Sequence, residues 1–521
     1  MHPIFDATAL QIGSNTQLFI DNLVIEQTDC VTRRWHKPRR LTAEPILKAD
    51  RPWEDTLYFT YSNFNVLQDP TDGLIKCWYE DIGPLTPHRA HPWKNRMLYA
   101  TSRNGVDFEK PELGKVFIDG QNTNIYAGYV EGATPDANNP WANVGIHSAA
   151  VVIDPTSTEA RYRMLFSLAR EGHRHKMVCG YSSDGINWHS YGIDPSFGSA
   201  GAQLSDVSTI TFDTHTGLFQ HYTRHGGQTL AGIPEHSPGM KWQEGARFST
   251  YFPGRPDLMN KRRVYRTVSA DFLRWTDPVA ISTPDDTIDN LDTAHYGLSQ
   301  FRVGATHFGT LGAFHYVDNE MDVRLLYSHD GVHFHPTDNG RPFLEPRRGQ
   351  NWDRHMVSIM SPPVRVGDEW YFYHGGSQAH HDWWWAGPYE LDHDEARDPA
   401  AHVSFGMGIA ALRFEGIASL DAIHPRPGRV VTKPVCFDGK SLEINARVRT
   451  NGSIRVGLLD SSGNALPGFG LEDCVPFSGD AIRHQVKWHG QTDLPAPAHP
   501  NQFRKLVFAI DEAEVFSFTI S

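Results

Sequence analysis

Five stretches of this chain set an acid or an imidazole just ahead of an apolar, strand-like run. They are WEDT with Glu54 and Asp55, GIHS with His147, LSDVS with Asp206, LDTAHYG with Asp292, His295 and Tyr296, and WDRHM with Asp353, Arg354 and His355. Two more acids, Glu171 in AREGHRHK and Glu320 in YVDNEMD, lie in polar stretches between such runs. A third feature is SQAHHDWWWAGPYELDHDEARD, residues 377–398, where His380 and His381 precede Trp383, Trp384 and Trp385. Grouped indoles in so polar a segment mark a binding surface. Carboxylates in pairs suit cleavage of an acetal, one protonated as acid and the other ionised as base or nucleophile. Indole faces beside acids and arginines suit a sugar ring, whose C–H faces stack while its hydroxyls take hydrogen bonds.

These residues are far apart in sequence, so the fold must gather them. A repeat supplies the means: Ser, any residue, an acid or amide, usually Gly, two residues, then Phe or Trp. It reads SRNGVDF (Ser102 to Phe108), SSDGINW (Ser182 to Trp188), SADFLRW (Ser269 to Trp275) and SHDGVHF (Ser328 to Phe334), with a degenerate RFEGIAS from Arg413 to Ser419. Asp-Gly between strand-like runs is a hairpin signal, and the aromatic beyond it can pack between sheets. Ahead of each copy lies another hairpin, such as SAAVVI with RYRMLFS across DPTSTEA. Five units of four strands predict an all-β fold, a five-bladed β-propeller over residues 1–428. From 429 to 521 the pattern changes to short alternating strands with turns such as Asn451-Gly452, which predicts a small C-terminal β-sandwich. The segment TQLFIDNLVIE, residues 16–26, is expected to help close the ring.

In a four-stranded blade the loops alternate between two faces. The repeat turns are short and define the plain face. The longer loops opposite carry Glu80, Asp81, Glu171, His173, Arg224, Asp318 and Glu320, so that face is expected to be the functional one. The tryptophan segment belongs to it, and neighbours in an extended segment point opposite ways, so one or two of its indoles face a sugar.

Composition narrows the partners. The formal net charge of -13 argues against nucleic acid and against an acidic membrane surface. No run reaches about 18 apolar residues, and no basic region followed by an apolar run opens the chain, so a cytoplasmic protein is expected. Five cysteines with no CxxC spacing fit a reducing compartment. Twenty-eight histidines raise the question of a metal, but the HExxH spacing is absent, and neither a metal nor a cofactor is expected.

The stretches LFIDNLVIE, RRWHKPRR, PILKADRPWED, YATSRNGVDFEKPELG, RTVSADFLRWTDPVAI, RLLYSHDGVHFH and GIAALRFEGIASLDA resemble bacterial proteins related to family 32 of the glycoside hydrolases, within the family-32 and family-43 superfamily. The resemblance implies a five-bladed propeller with three acids in its axial pocket, and often a C-terminal β-sandwich. It implies that Asp55 occupies the blade-one acid position and Asp206 an inner-strand acid position. The family-32 NDPNG signature is absent.

The expected function is therefore a glycoside hydrolase acting on a small oligosaccharide, exo rather than endo, with a homo-oligomer possible. Asp55, Asp206, Glu320, Glu171 and Asp353 are the catalytic candidates. His147, His295, Tyr296, Arg354, His355, His381, Trp383 and Trp384 are the substrate-binding candidates. Each has a plainer reading as well: Asp55 as a turn cap, Asp353 paired with a basic group, and the histidines bonded within the channel. Two other functions remain open, a carbohydrate lyase using His and Tyr for β-elimination, and a carbohydrate-binding protein without catalysis.

Overall fold

The computed structural model describes residues 9–85, 94–131, 141, 143–169, 176–198, 204–225, 262–285, 287–290, 292–315, 318–381, 398–422, 426–437, 439–495 and 503–521. Trp383, Trp384 and Glu171 lie outside these residues. The strands form a five-bladed β-propeller. Blade one runs Phe64–Gln68, Ile75–Asp81, Arg96–Ser102 and Ile125–Gly128, from the inside out. Blade two is Gly145–Ile153, Tyr162–Ala169, Lys176–Ser182 and His189–Ser190. Blade three is Leu204–Asp213, Leu218–His225, Val264–Ser269 and Val279–Ser282. Blade four is Thr293–Val303, Thr306–His315 and Glu320–Ser328, edged by His335–Pro336 and Pro342–Leu344.

Blade five has an interrupted inner strand, Met356–Ser358 and Val364–Val366, because Pro362 and Pro363 offer no N–H between them. Both pieces pair with Glu369–Ser377, which pairs with Phe405–Arg413. Its outermost strand is Arg39–Arg40 from near the start of the chain.

Hydrogen bonds tie the inner strands into a ring. Asn65 accepts from the Val151 N–H at 3.2 Å, and the Val66 N–H donates to Ser361 Oγ at 2.9 Å. Thr209 donates to the Leu298 carbonyl, and Thr310 to the Ile359 carbonyl at 2.8 Å. Blades two and three meet through Ala150, Val152, Ile210 and Phe219.

The repeat is one turn built four times. The N–H groups of Gly105, Gly185, Phe272 and Gly331 each donate to the serine three residues earlier at 2.9 Å. That position is left-handed, with φ of 81°, 81°, 70° and 73°, so glycine suits it and Phe272 is the strained exception. Phe272 is fully buried against Phe219 and Trp275, which offsets the strain. The turn carbonyls also link blades: Trp78 Nε1 donates to Gly185 O at 2.7 Å, and Tyr373 Oη to Gly105 O at 2.8 Å.

Two expectations about closure change. The segment 16–26 does not close the ring. Gln17–Leu18 pairs with Lys505–Ile520, and Ile25–Asp29 pairs with Gly428–Thr432. The degenerate repeat at Arg413 does not return into blade five either. Its Gly416 turn sends the chain into Ala418–Ala422, which pairs with Val31–Trp35 and with Lys505–Ile520. The N-terminal strands therefore join the C-terminal region in one eight-stranded antiparallel sheet. It has its own core around Phe19, Val430, Ile444, Val456, Phe508 and Phe518.

Ring closure is anchored by charge. Asp353, fully buried, accepts from Arg40 Nε at 2.8 Å and from Arg347 Nε at 2.7 Å. Arg40→Ala is expected to cost about 3 kcal/mol in urea unfolding, because it leaves a buried carboxylate short of a partner. Arg39→Ala, which removes the more exposed pair with Glu369, is expected to cost under about 1 kcal/mol. Equal losses would contradict this anchor.

His221, fully buried in blade three with Nε2 at 2.9 Å from Ser208 Oγ, makes the fold acid-sensitive. Burial pushes its imidazole down to about 3. An unfolded imidazole binds a proton below about 6.5, so stability falls as pH drops through that window, at up to ~1.4 kcal/mol per unit. His221→Gln is expected to flatten the fall between pH 6 and 4 in denaturant titrations, and an unchanged slope would assign the acid sensitivity elsewhere.

Candidate active site

The inner strands are irregular where they begin. Blade two has a register break between His147 and Ala150, blade three between Leu204 and Ser208, and blade four between His295 and Gly297. A bulge adds a residue, bends the strand and re-aims a side chain, and bulges gather beside active sites. Here they fall at His147–Ser148, Asp206 and Tyr296. Ser148 has φ 52°, and Tyr61, just ahead of the blade-one inner strand, has φ 47°. Non-glycine residues held there store about 1 to 3 kcal/mol of strain each, which points to function. Ser62 Oγ accepts from the Ser208 N–H at 3.0 Å, so the entries of blades one and three touch directly.

Glu80 is the buried hub of the blade-one and blade-two side. It is the penultimate residue of the strand Ile75–Asp81, every residue of which is buried. Its Oε1 accepts from His147 Nδ1 at 2.8 Å and from Asn95, and its Oε2 from Asn63 and the Ser148 N–H at 3.0 Å. Four donors hold the carboxylate, and it in turn fixes the tautomer and direction of His147.

Blades four and five contribute a second cluster. Glu320 Oε1 accepts from His355 Nδ1 at 3.0 Å and from Arg348. Burial would raise the Glu320 carboxyl, but the bonds from His355 and Arg348 outweigh it and hold the group below the usual range. The His355 and His380 rings stack with centroids 3.7 Å apart. All three side chains have a nitrogen or oxygen within 4.8 Å of one another.

Between these clusters lies an aromatic group. Tyr61 stacks on Tyr296 at 4.6 Å, and Tyr296 Oη shares a hydrogen bond with His381 Nε2 at 2.9 Å. The guanidinium groups of Arg224 and Arg262 sit 4.2 and 4.5 Å from the centre of the Tyr296 ring, as cation–π partners. His381 also packs against Phe314, with ring centres 4.3 Å apart.

The structure thus brings His147, Tyr296, His355, His381 and Glu320 to the strand entries of one face. Asp206 is at the blade-three bulge, and its side chain is outside the described residues. Other expectations change. Asp353 is taken up by Arg40 and Arg347 in closing the ring, which is the plainer of its two readings. His295 is turned toward the outer strand of blade three and the connection that follows it, where Ser282 Oγ lies 2.7 Å from Nδ1 and Asp289 3.2 Å from Nε2. Arg354 Nε donates to the Gln378 carbonyl at 2.9 Å.

Asp55 lies over the second and third strands of blade one rather than at its inner strand. Its carboxylate meets Arg96 at 2.7 Å, and its N–H donates to Asp81 at 3.0 Å. Burial and the negative charge of Asp81 push the Asp55 carboxyl up, with Arg96 opposing.

Sequence reasoning gave no role to Tyr61, to Arg262 or to Glu80 as a hub. Glu80 and Asp81 ending a strand of aromatic and apolar residues was the available signal for buried acids.

No family model matches the chain, and no curated protein matches it by sequence. Similar solved structures include a thermostable family-43 glycoside hydrolase, at 13% identity and TM-score 0.42, covering 73% of this chain and 98% of that one. A glycosyl hydrolase from Bacteroides ovatus is 14% identical at TM-score 0.42, covering 72% and 93%. An N-acetylgalactosamine deacetylase from F. plautii is 15% identical at TM-score 0.41, covering 74% and 96%. At such identities the reaction must be argued from the residues of this site.

The electrostatics around Asp55 can be read directly. Asp81→Asn removes the neighbouring charge and is expected to bring the Asp55 carboxyl down toward its ordinary value, as followed by carbon-13 NMR titration. A midpoint that stays put would remove Asp81 as a cause.

Proposed function

We propose that the chain is a glycoside hydrolase cleaving a small oligosaccharide, bound end-on where the inner strands of the propeller begin. The observation that carries this reading is the set of three register breaks where the inner strands of blades two, three and four begin, which bring His147 and Tyr296 to one face of the ring. Strained backbone at Tyr61 and Ser148 supports it, since such strain persists where geometry serves function.

The chemistry differs from a simple pair of carboxylates. At the strand entries the described acids Glu80 and Glu320 each hold an imidazole, His147 and His355. In this reading His147, fixed by Glu80, moves the proton of the attacking water, and Asp206 protonates the leaving oxygen. Tyr61 and Tyr296, stacked on each other, back Arg224 and Arg262, which offer donors to hydroxyls.

A second reading is favoured by one observation, the Tyr296–His381 hydrogen bond beneath two guanidiniums. Arginine beside a tyrosine–histidine pair suits a uronate, with Arg neutralising its carboxylate while the pair moves the proton for β-elimination.

A panel of fructosides, arabinosides and uronic-acid oligosaccharides, read by product mass and ultraviolet absorbance, separates the two. Products whose masses sum to substrate plus one water are expected. Under the hydrolase reading His147→Ala and Asp206→Asn lower kcat by about 100-fold or more, whereas Asp55→Asn lowers it less than tenfold. Fragments summing to the substrate mass with new ultraviolet absorbance would overturn hydrolysis in favour of elimination. Loss of activity with Asp55→Asn but not Asp206→Asn would move the site off the axis.

A further inference from the structure

We propose that Glu320, His355 and His380 form a binding site for a divalent first-row transition-metal ion at the junction of blades four and five. This goes beyond the hydrolase reading and does not depend on it. Each residue has its own anchor. Glu320 opens the strand Glu320–Ser328, His355 immediately precedes the inner strand of blade five, and His380 follows the end of Glu369–Ser377.

The backbone binds these three points together. The Met321 N–H donates to the His355 carbonyl at 3.1 Å, the His355 N–H to the Ser377 carbonyl at 3.2 Å, and the His381 N–H to the Asn319 carbonyl at 2.9 Å. Met321 and Met356 are also paired, in parallel, across the two blades. The donors are therefore carried by main chain fixed on three sides, so little ordering remains for an ion to impose.

The spacing of Glu320 and His355 fits a chelate. Two bonds of about 2.1 Å meeting at 90° to 110° put donor atoms about 3.0 to 3.4 Å apart. Glu320 Oε1 and His355 Nδ1 are 3.0 Å apart, and a donor atom of His380 completes a group within 4.8 Å. An ion replaces the proton that those two atoms share. Two borderline imidazoles with one hard carboxylate suit Zn2+, Fe2+, Co2+ or Ni2+, whereas Ca2+ takes oxygen ligands. Three protein ligands leave positions for water or sugar hydroxyls, as in open metal sites. Arg348, whose side chain is 73% exposed, bonds the same Glu320 oxygen and has room to move aside.

The test uses the full chain stripped with chelator and titrated with Zn2+, Co2+ and Ca2+ by calorimetry, with the visible spectrum of the Co2+ form as a second readout. One Zn2+ or Co2+ per chain is expected, with an affinity at least 100-fold above that for Ca2+, a thermal midpoint raised by Zn2+, and cobalt bands in the visible. Glu320→Gln and His380→Gln should each weaken binding at least 30-fold and abolish the thermal shift. Their circular dichroism should match wild type, and a variant that does not fold is replaced by His355→Gln, judged by the same criteria. No binding of Zn2+ or Co2+, or binding unchanged in these variants, overturns the proposal. Because the readouts are binding and spectra, they stand whether or not a saccharide is cleaved.

Discussion

A ring of sheets exists only if its ends meet, and here residues 39–47 lie along the outer strand of blade five. Arg39 and Arg40 lay the outermost strand on blade five, and Arg40 then reaches Asp353 in the loop before that blade's inner strand. Asp353 is buried between two guanidiniums, from Arg40 and Arg347, and such a charge is tolerated only with partners in good geometry. The same loop carries His355 two residues on. The contact that shuts the ring therefore also sets the position of a site residue.

The site follows from how inner strands enter that ring. A regular strand alternates its side chains between faces and would send His147 or Tyr296 wherever the pleat dictated. The register breaks in blades two, three and four change that at one end only, and the rest of each strand stays regular and largely buried. Buried acids then fix what has been re-aimed. Glu80 takes four donors, and Glu320 takes an imidazole and a guanidinium. Neither acid is left without partners, which is what burial of a carboxylate demands.

Local order was legible in the sequence and long-range pairing was not. Hairpins such as 148–153 with 161–167 could be read because alternation and turn residues act over a few positions. The Ser-x-Asp-Gly turn could be read for the same reason, since its bonds span three residues. The closing strand is two residues long and carries no alternation, so RRWHKPRR gave no sign that Arg40 would meet Asp353, 313 positions away. The bulges were hidden too: each is a one- or two-residue change in pairing that composition does not encode. Asp55 was placed at the axis because it precedes an apolar run, but the chain between Leu57 and Asn63 folds over the end of the second strand first. The histidines were named one by one, whereas their grouping around Glu80 and Glu320 depended on which blades face each other.

In the proposed function, substrate is held where the inner strands begin, on the face opposite the repeat turns. Amide hydrogen exchange of the full chain, with and without a saturating short oligosaccharide, tests it most directly. New protection is expected at 58–63, 146–150, 205–208 and 294–297, with the turns at 102–105, 182–185 and 328–331 unchanged. Protection confined to those turns, or to the C-terminal sheet, would contradict it.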